Sequence, residues 1–282
     1  MRLQIPDSDV HVVADWAELF VLSTGTSLSK LELINFIKTN LPEVNEEDGS
    51  RTMLADSTFT ELSFRRSTLY GISCHYEVKG DTVNPLIKLE DLPEAALCLI
   101  FSLRGVVVQK GKNNGTKYFE QISNIASKTL LGESYLVGFP NNKNLVSQIG
   151  QACAQSFETQ GHENPKTSDK DGGVDIIAWK TFDDKRTNKV VVLIQCGAGK
   201  HFNQKKPINI EKWKRWVHWA FPPLTAMTTP RIIRKTDEWQ ELSDYYKLII
   251  DRPRLIKFIH SSPHANGVLK KSIEDWCKSN MN

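Results

Sequence analysis

The chain has 282 residues, 40% hydrophobic and 24% charged, with a formal net charge of +3. That length lies where single cores begin to divide, and the composition is that of a folded chain, not a disordered one. The five cysteines are odd in number, scattered and without a C-x-x-C pair, which excludes a disulfide scaffold and a zinc knuckle and fits reduced thiols.

The first residues lack a basic stretch followed by an apolar core, and the longest apolar run, Ala95 to Phe101, is far short of the ~20 residues that span a bilayer. A cytoplasmic protein without membrane segments is expected, in two domains: a mainly helical one over 1–110 and an α/β one over 111–282.

Ser29-Lys30-Leu31-Glu32 has the spacing of a capping box and opens a helix with Leu31, Ile34 and Ile37 or Lys38 on one face. Leu41-Pro42 closes it, because the residue before proline leaves the α region. A second helix is expected from Arg51 to Leu69, with Met53, Phe59, Leu62 and Leu69 buried and Gly71 as its stop. The period then changes to two, with Ile72, Cys74, Tyr76 and Val78 alternating, and Lys79-Gly80-Asp81 turns the chain. Asp91-Leu92-Pro93-Glu94 opens a third helix, with proline near the first position where no amide is missed. Helices followed by a hairpin suggest a winged helix, and a partner-docking role is favoured over direct reading of DNA.

Gln109 to Lys117 is rich in glycine, asparagine and lysine and reads as a linker. A helix follows over Tyr118–Leu131, a short strand over Tyr135–Phe139 and an amphipathic helix over Leu145–Gln160. Val174 to Trp179 and Val190 to Ile194 form a β-hairpin behind a Gly172-Gly173 turn; the second run is continuously apolar, as a strand buried on both faces must be. Further on come a helix over Ile210–Phe221, a strand over Thr225–Ile233, a helix over Asp237–Tyr246, a strand over Lys247–Ile250 and a last helix over Gly267–Lys278.

In the hairpin two polar residues interrupt the apolar pattern, Asp175 and Gln195. A carboxylate and an amide oxygen on adjacent buried strands are hard oxygen ligands of the kind that hold Mg²⁺ or Mn²⁺. From Ile176 to Ala220 ten basic residues stand against three acidic ones, a local charge of +7. Lys205, Lys206, Lys212, Lys214 and Arg215 are the candidates to meet a phosphate backbone there.

A helix bearing Glu120, then Asp171-Gly172-Gly173-Val174-Asp175, then an apolar strand ending in Gln195, resembles the PD-(D/E)xK, restriction-endonuclease-like nuclease superfamily, in its Mrr-type branch where glutamine replaces the acid. The resemblance covers roughly Lys117 to Ile250. It implies a mixed sheet flanked by helices, metal-dependent hydrolysis of DNA phosphodiesters and a role in restriction or anti-phage defence. A protein partner such as an ATPase, helicase or sensor subunit would then dock on the first domain, and oligomers are admitted. By the same resemblance Glu120 takes the place of the helix glutamate, Asp175 that of the metal aspartate and Gln195 that of the first signature residue. Glu158, on the next helix, is the rival of Glu120.

The chain departs from the pattern two residues after Gln195, where Gly197 replaces the signature lysine. Lys200 is the nearest ammonium, and a bend at Gly197-Ala198-Gly199 is needed to bring it over the site.

The same residues admit structural readings. Asp171 and Asp175 can cap a tight turn, Gln195 can be a buried amide and Glu120 a plain helix glutamate. The alternative to an enzyme is a degenerate nuclease-fold module that binds nucleic acid or docks a partner. Gly197 to His201 is no Walker A loop. Cys196 reads as a buried strand residue, and Trp213, Trp216 and Trp219 read as core.

Overall fold

Three segments of the sequence, the first far from the other two, make up one unit of this protein. The structure, a computed structural model, describes residues 4–44, 49–105, 115–137, 144–199, 201–233, 237–264 and 266–281. It is mixed α/β, and among the described residues no helix is long and apolar enough to cross a membrane. The chain divides into unit 1, Met1–Gly115 with Arg252–His260 and Asn266–Asn282, and unit 2, Thr116–Asp251 with Ser261–Ala265. A single break near residue 110 therefore misses the return of the chain to unit 1 after Asp251. The linker expected over Gln109–Lys117 lies for the most part outside the described residues.

In unit 1, α1 (Val10–Thr24) starts where the Asp9 carboxylate accepts from the His11 and Val12 amides. After β1 (Leu28–Ser29), α2 (Lys30–Asn40) opens with the expected capping box, Ser29 Oγ taking the Glu32 amide and Glu32 taking the Ser29 amide at 2.7 Å. Its buried face is Leu33 and Ile37, whereas Leu31 is exposed.

The helix expected from Arg51 to Leu69 is α3 (Ser50–Phe64) followed by one π-helical turn, Arg65–Tyr70. An α-helix would set residues five apart ~140° from each other, whereas i→i+5 bonding brings them to nearly one face. Arg65 and Tyr70 are accordingly both buried. Alternation from Ile72 does not make a strand there: Gly71–Ser73 is a 3₁₀ turn that leaves Ile72 99% exposed. Strand β2 (Tyr76–Lys79) pairs with β3 (Thr82–Pro85), and β3 with β1, all antiparallel in the order β1-β3-β2. Helix α4 (Pro93–Arg104) carries proline in its first turn and the buried apolar run.

Unit 2 runs through α5 (Gly115–Leu131), β4 (Gly132–Leu136), α6 (Leu145–Ser156), β5 (Thr159–Gln160), β6 (Ile176–Lys180), β7 (Val191–Cys196), α7 (Ile210–Trp216), β8 (Val217–His218), β9 (Leu224–Thr228), α8 (Asp237–Tyr246) and β10 (Leu248–Ile250). Its five-stranded sheet has the order β10-β9-β7-β6-β4, with β4, β6 and β7 antiparallel and β7, β9 and β10 parallel. Strand β7 is central and buried at every position, which its unbroken apolar run requires. The helix expected to reach Phe221 ends at Trp216, because Val217 and His218 pair with Gln160 and Thr159. Trp213 and Trp216 pack as a T-shaped pair, ring centres 5.2 Å apart, in a core with Ile177, Trp179 and Leu193.

The chain then returns to unit 1 through α9 (Arg252–His260), which sequence periodicity did not disclose, and α10 (Gly267–Asn280). Arg252 enters a buried charge cluster. Arg65 Nη1 lies 2.6 Å from Asp15 Oδ1 and 2.9 Å from Glu18 Oε1, and Tyr70 donates to Glu18 Oε2 at 3.0 Å. Arg252 donates from Nη2 to Asp15 and from Nε to the Tyr70 hydroxyl at 2.8 Å. The two guanidinium groups hold the Asp15 carboxyl well below the usual range against the opposing cost of its burial.

Candidate active site

Asp175 and Gln195 face each other across the β6–β7 pair, one step beyond the Ile176–Ile194 pairing. The Asp175 amide donates to Ile194 O at 2.9 Å, and Asp175 Oδ2 accepts from the Cys196 amide at 2.6 Å. The backbone of β7 thus aims the carboxylate. Burial raises the Asp175 pKa, while the Cys196 amide and Lys205 pull it down and Asp171 pushes it up.

The turn ahead of Asp175 explains the double glycine. Gly172 and Gly173 have φ of 63° and 79°, in the left-handed region, and Asp171 Oδ1 accepts from the Gly173 amide at 2.8 Å. A Cβ at Gly172 would stand 2.6 Å from the Trp216 ring. Asp171 thus takes the turn-capping role, whereas Asp175 is held by the strand that follows. Gln195 is 7% exposed, and its Oε1 is buried with no hydrogen-bond partner among the described residues. A buried amide oxygen left without a donor is costly and calls for one.

Glu120 sits in the second turn of α5. Three residues on, Ser123 Oγ meets Thr228 Oγ1 at 3.0 Å, which fixes this part of the helix against the end of β9. Burial is the main cause that raises the Glu120 pKa to about 7; the negative charges of Asp175 and Asp171 add to it, against Lys205 and Lys117. The helix glutamate and strand aspartate therefore lie within electrostatic reach of one another and of the same ammonium.

That ammonium belongs to Lys205, whose Nζ donates to Cys196 O at 2.6 Å. After β7 the chain turns through Gly197, where a Cβ would come 2.9 Å from that of Phe202, and through the 3₁₀ turn Phe202–Gln204. The Tyr246 hydroxyl pins this segment, donating to Lys205 O at 2.7 Å. Among the described residues, Lys205, assigned by charge alone to the phosphate backbone, is the basic residue placed beside Asp175. Lys200 lies outside the described residues. The signal that could have found Lys205 is Phe202, an apolar anchor in a polar segment, which folds the chain back.

The other candidates lie elsewhere. Glu158 is buried and accepts from the Ala220 amide at 3.1 Å, beside the β5–β8 pair, so it does not replace Glu120. Lys212 pairs with Asp169 at 2.7 Å, Lys214 with Glu211 at 2.6 Å and Arg215 with Glu163 at 3.5 Å, while Lys206 is exposed. Burial pushes the Cys196 thiol well up, which argues against a nucleophile.

Among the described residues no group of three or more histidine, cysteine, aspartate or glutamate side chains is arranged to hold a metal. Mg²⁺ is nevertheless commonly held by one or two carboxylates with water completing its shell. Glu120, Asp175 and the partnerless Gln195 Oε1 fit that smaller requirement. No protein-family model, curated protein or solved structure matches the chain.

Proposed function

We propose that unit 2 is a metal-dependent nuclease of the restriction-endonuclease-like type, which hydrolyses DNA phosphodiesters. The observation that carries this reading is the gathering of Glu120, Asp175, Gln195 and Lys205 where β6 begins and β7 ends. Glu120, Asp175 and Gln195 Oε1 would hold Mg²⁺ or Mn²⁺, which would supply charge neutralisation on the scissile phosphate and lower the pKa of a water. Asp175 keeps its aim through the Cys196 amide. The Lys205 ammonium, tethered to Cys196 O, offers a positive charge to a phosphate oxygen as negative charge builds there. Glu120, whose pKa is raised chiefly by burial, would take its charged form beside the cation it helps to hold.

The ion pairs of Lys212, Lys214 and Arg215 are partly or fully solvated and can be exchanged for phosphate contacts. In unit 1 the exposed positions of α3, Thr52, Met53, Asp56, Ser57, Thr60, Ser63 and Phe64, carry no lysine or arginine, and Arg51 is half-buried, which suits a protein partner better than DNA. A restriction or anti-phage role with such a partner follows from the resemblance in sequence alone. The second reading, a degenerate module that binds without cutting, is favoured by the neutral Gln195 in a site of few acids. Cleavage of supercoiled plasmid with Mg²⁺ or Mn²⁺ tests the choice. Activity lost in Asp175→Ala and Lys205→Ala supports the enzyme, and a wild type inert with both metals supports the module.

A further inference from the structure

A cleft of about 440 Å³ opens in unit 2 beside Trp179, Thr181, Phe182 and Lys189. Trp179 is four residues along β6 from Asp175, or ~13 Å of strand, so the cleft lies toward the opposite end of that strand from the carboxylates. Its volume is within the range of small-molecule sites.

Three features mark it. Lys189 is only 4% exposed, yet it makes no ion pair among the described residues: its Nζ donates to Ser156 O at 2.9 Å and to Arg186 O, and lies 4.8 Å from the centre of the Phe157 ring. The Lys189 amine, held by two carbonyls and a ring, has no carboxylate paired with it among the described residues. Phe157 ends α6 with φ of 61°, a left-handed position that glycine or asparagine usually fills. Phe157 holds that position while it is 42% exposed, and Phe182, which also lines the cleft, is 58% exposed. Asp183 and Lys185 on the rim also have positive φ, so three of the six such non-glycine residues among those described line this one cleft.

Phe157 and Phe182, both exposed and lining the cleft, call for a flat partner, and the Lys189 amine, without an ion pair among the described residues, calls for an anion. We propose that this cleft binds a nucleotide, its base against Phe157 and Phe182 and its phosphate toward Lys185 and Lys189. Gln155, Thr181 and Asp183 supply donors and acceptors for the base edge or sugar, while the Glu133 carboxylate on the rim is paired with Lys128 at 2.8 Å. The nucleotide is either free or one residue of a single strand, since both present the same chemistry. This inference does not depend on the nuclease reading and stands or falls apart from it.

Calorimetric titration of the full chain tests it, with adenosine 5′-monophosphate, ribose 5-phosphate and a short oligodeoxythymidine as probes. Phe182→Ala and Lys185→Ala are the variants, both at exposed positions where folding is not at stake. Saturable binding of the mononucleotide, weakened about tenfold or more by Phe182→Ala, supports the site and a free nucleotide. Binding of the oligonucleotide alone, with the same sensitivity, supports the site and a strand. Ribose 5-phosphate binding as tightly as the mononucleotide, affinities unchanged in both variants, or no binding of any probe would overturn it.

Discussion

Lys205 Nζ lies 2.6 Å from the carbonyl oxygen of Cys196, the residue whose amide holds the Asp175 carboxylate. The backbone of one residue thus positions both the carboxylate and the ammonium. Replacing Lys205 with alanine is expected to lower cleavage by about 100-fold or more, with Lys205→Arg restoring part of it. Lys200→Ala is the comparison. If that variant is the inactive one and Lys205→Ala keeps full rate, the assignment is wrong.

Metal binding can be read without activity. Saturating Mn²⁺ is expected to raise the melting temperature of unit 2 by about 5 °C. The shift should vanish in Asp175→Asn and shrink in Gln195→Leu, where the partnerless amide oxygen is gone. Gln195→Glu adds an anionic ligand and should enlarge it. Equal shifts in all four proteins would place the metal elsewhere.

Gly172 is constrained twice, by a φ of 63° and by the Trp216 ring that a Cβ would meet at 2.6 Å. Gly172→Ala should therefore cost about 1–3 kcal/mol, seen as a lower urea midpoint. Gly199→Ala, where nothing lies within 4 Å of the added carbon, serves as the mild control.

In unit 1, removing Arg252 leaves Asp15 and Glu18 with Arg65 as their remaining guanidinium in the cluster. Arg252→Met is expected to destabilise the unit by about 3–5 kcal/mol. Urea unfolding of the variant is the measurement, and a midpoint within error of wild type would show that the cluster contributes little.

His75 gives unit 1 a pH dependence. Burial, above all, lowers its pKa from 6.5 to about 4, and Arg252 adds to this against the opposing pull of Glu18, whose Oε2 lies 3.4 Å from Nε2. Between about pH 4 and pH 6.5 the unfolded chain binds the proton that the folded one refuses, so stability falls as pH falls through that window. The loss amounts to roughly 3 kcal/mol. The urea midpoint of wild type should fall relative to that of His75→Leu as acid is added, and parallel curves would refute it.

What the sequence disclosed and what it concealed divide along a physical line. Period and capping are local, so the Ser29 box, the hairpin around Asp175 and Gln195, and the Asp237–Tyr246 helix could be read directly. Glu120 was legible only through the resemblance. The place of Lys205 beside Asp175 was not legible, because it depends on Phe202 and Tyr246 folding a loop back, which no spacing rule reports. The π turn at Arg65 and the return of α9 were hidden for the same reason: both are set by a charge cluster whose members are as much as 237 residues apart.

That separation bears on how the protein is made. Asp15 and Glu18 leave the ribosome long before Arg252, and until it arrives half of their guanidinium complement is missing. Synthesis normally lets the earlier domain fold first. Here the order is reversed: the interrupted unit must wait, and the intervening one, complete by Asp251 apart from a short tail, matures ahead of the body that brackets it.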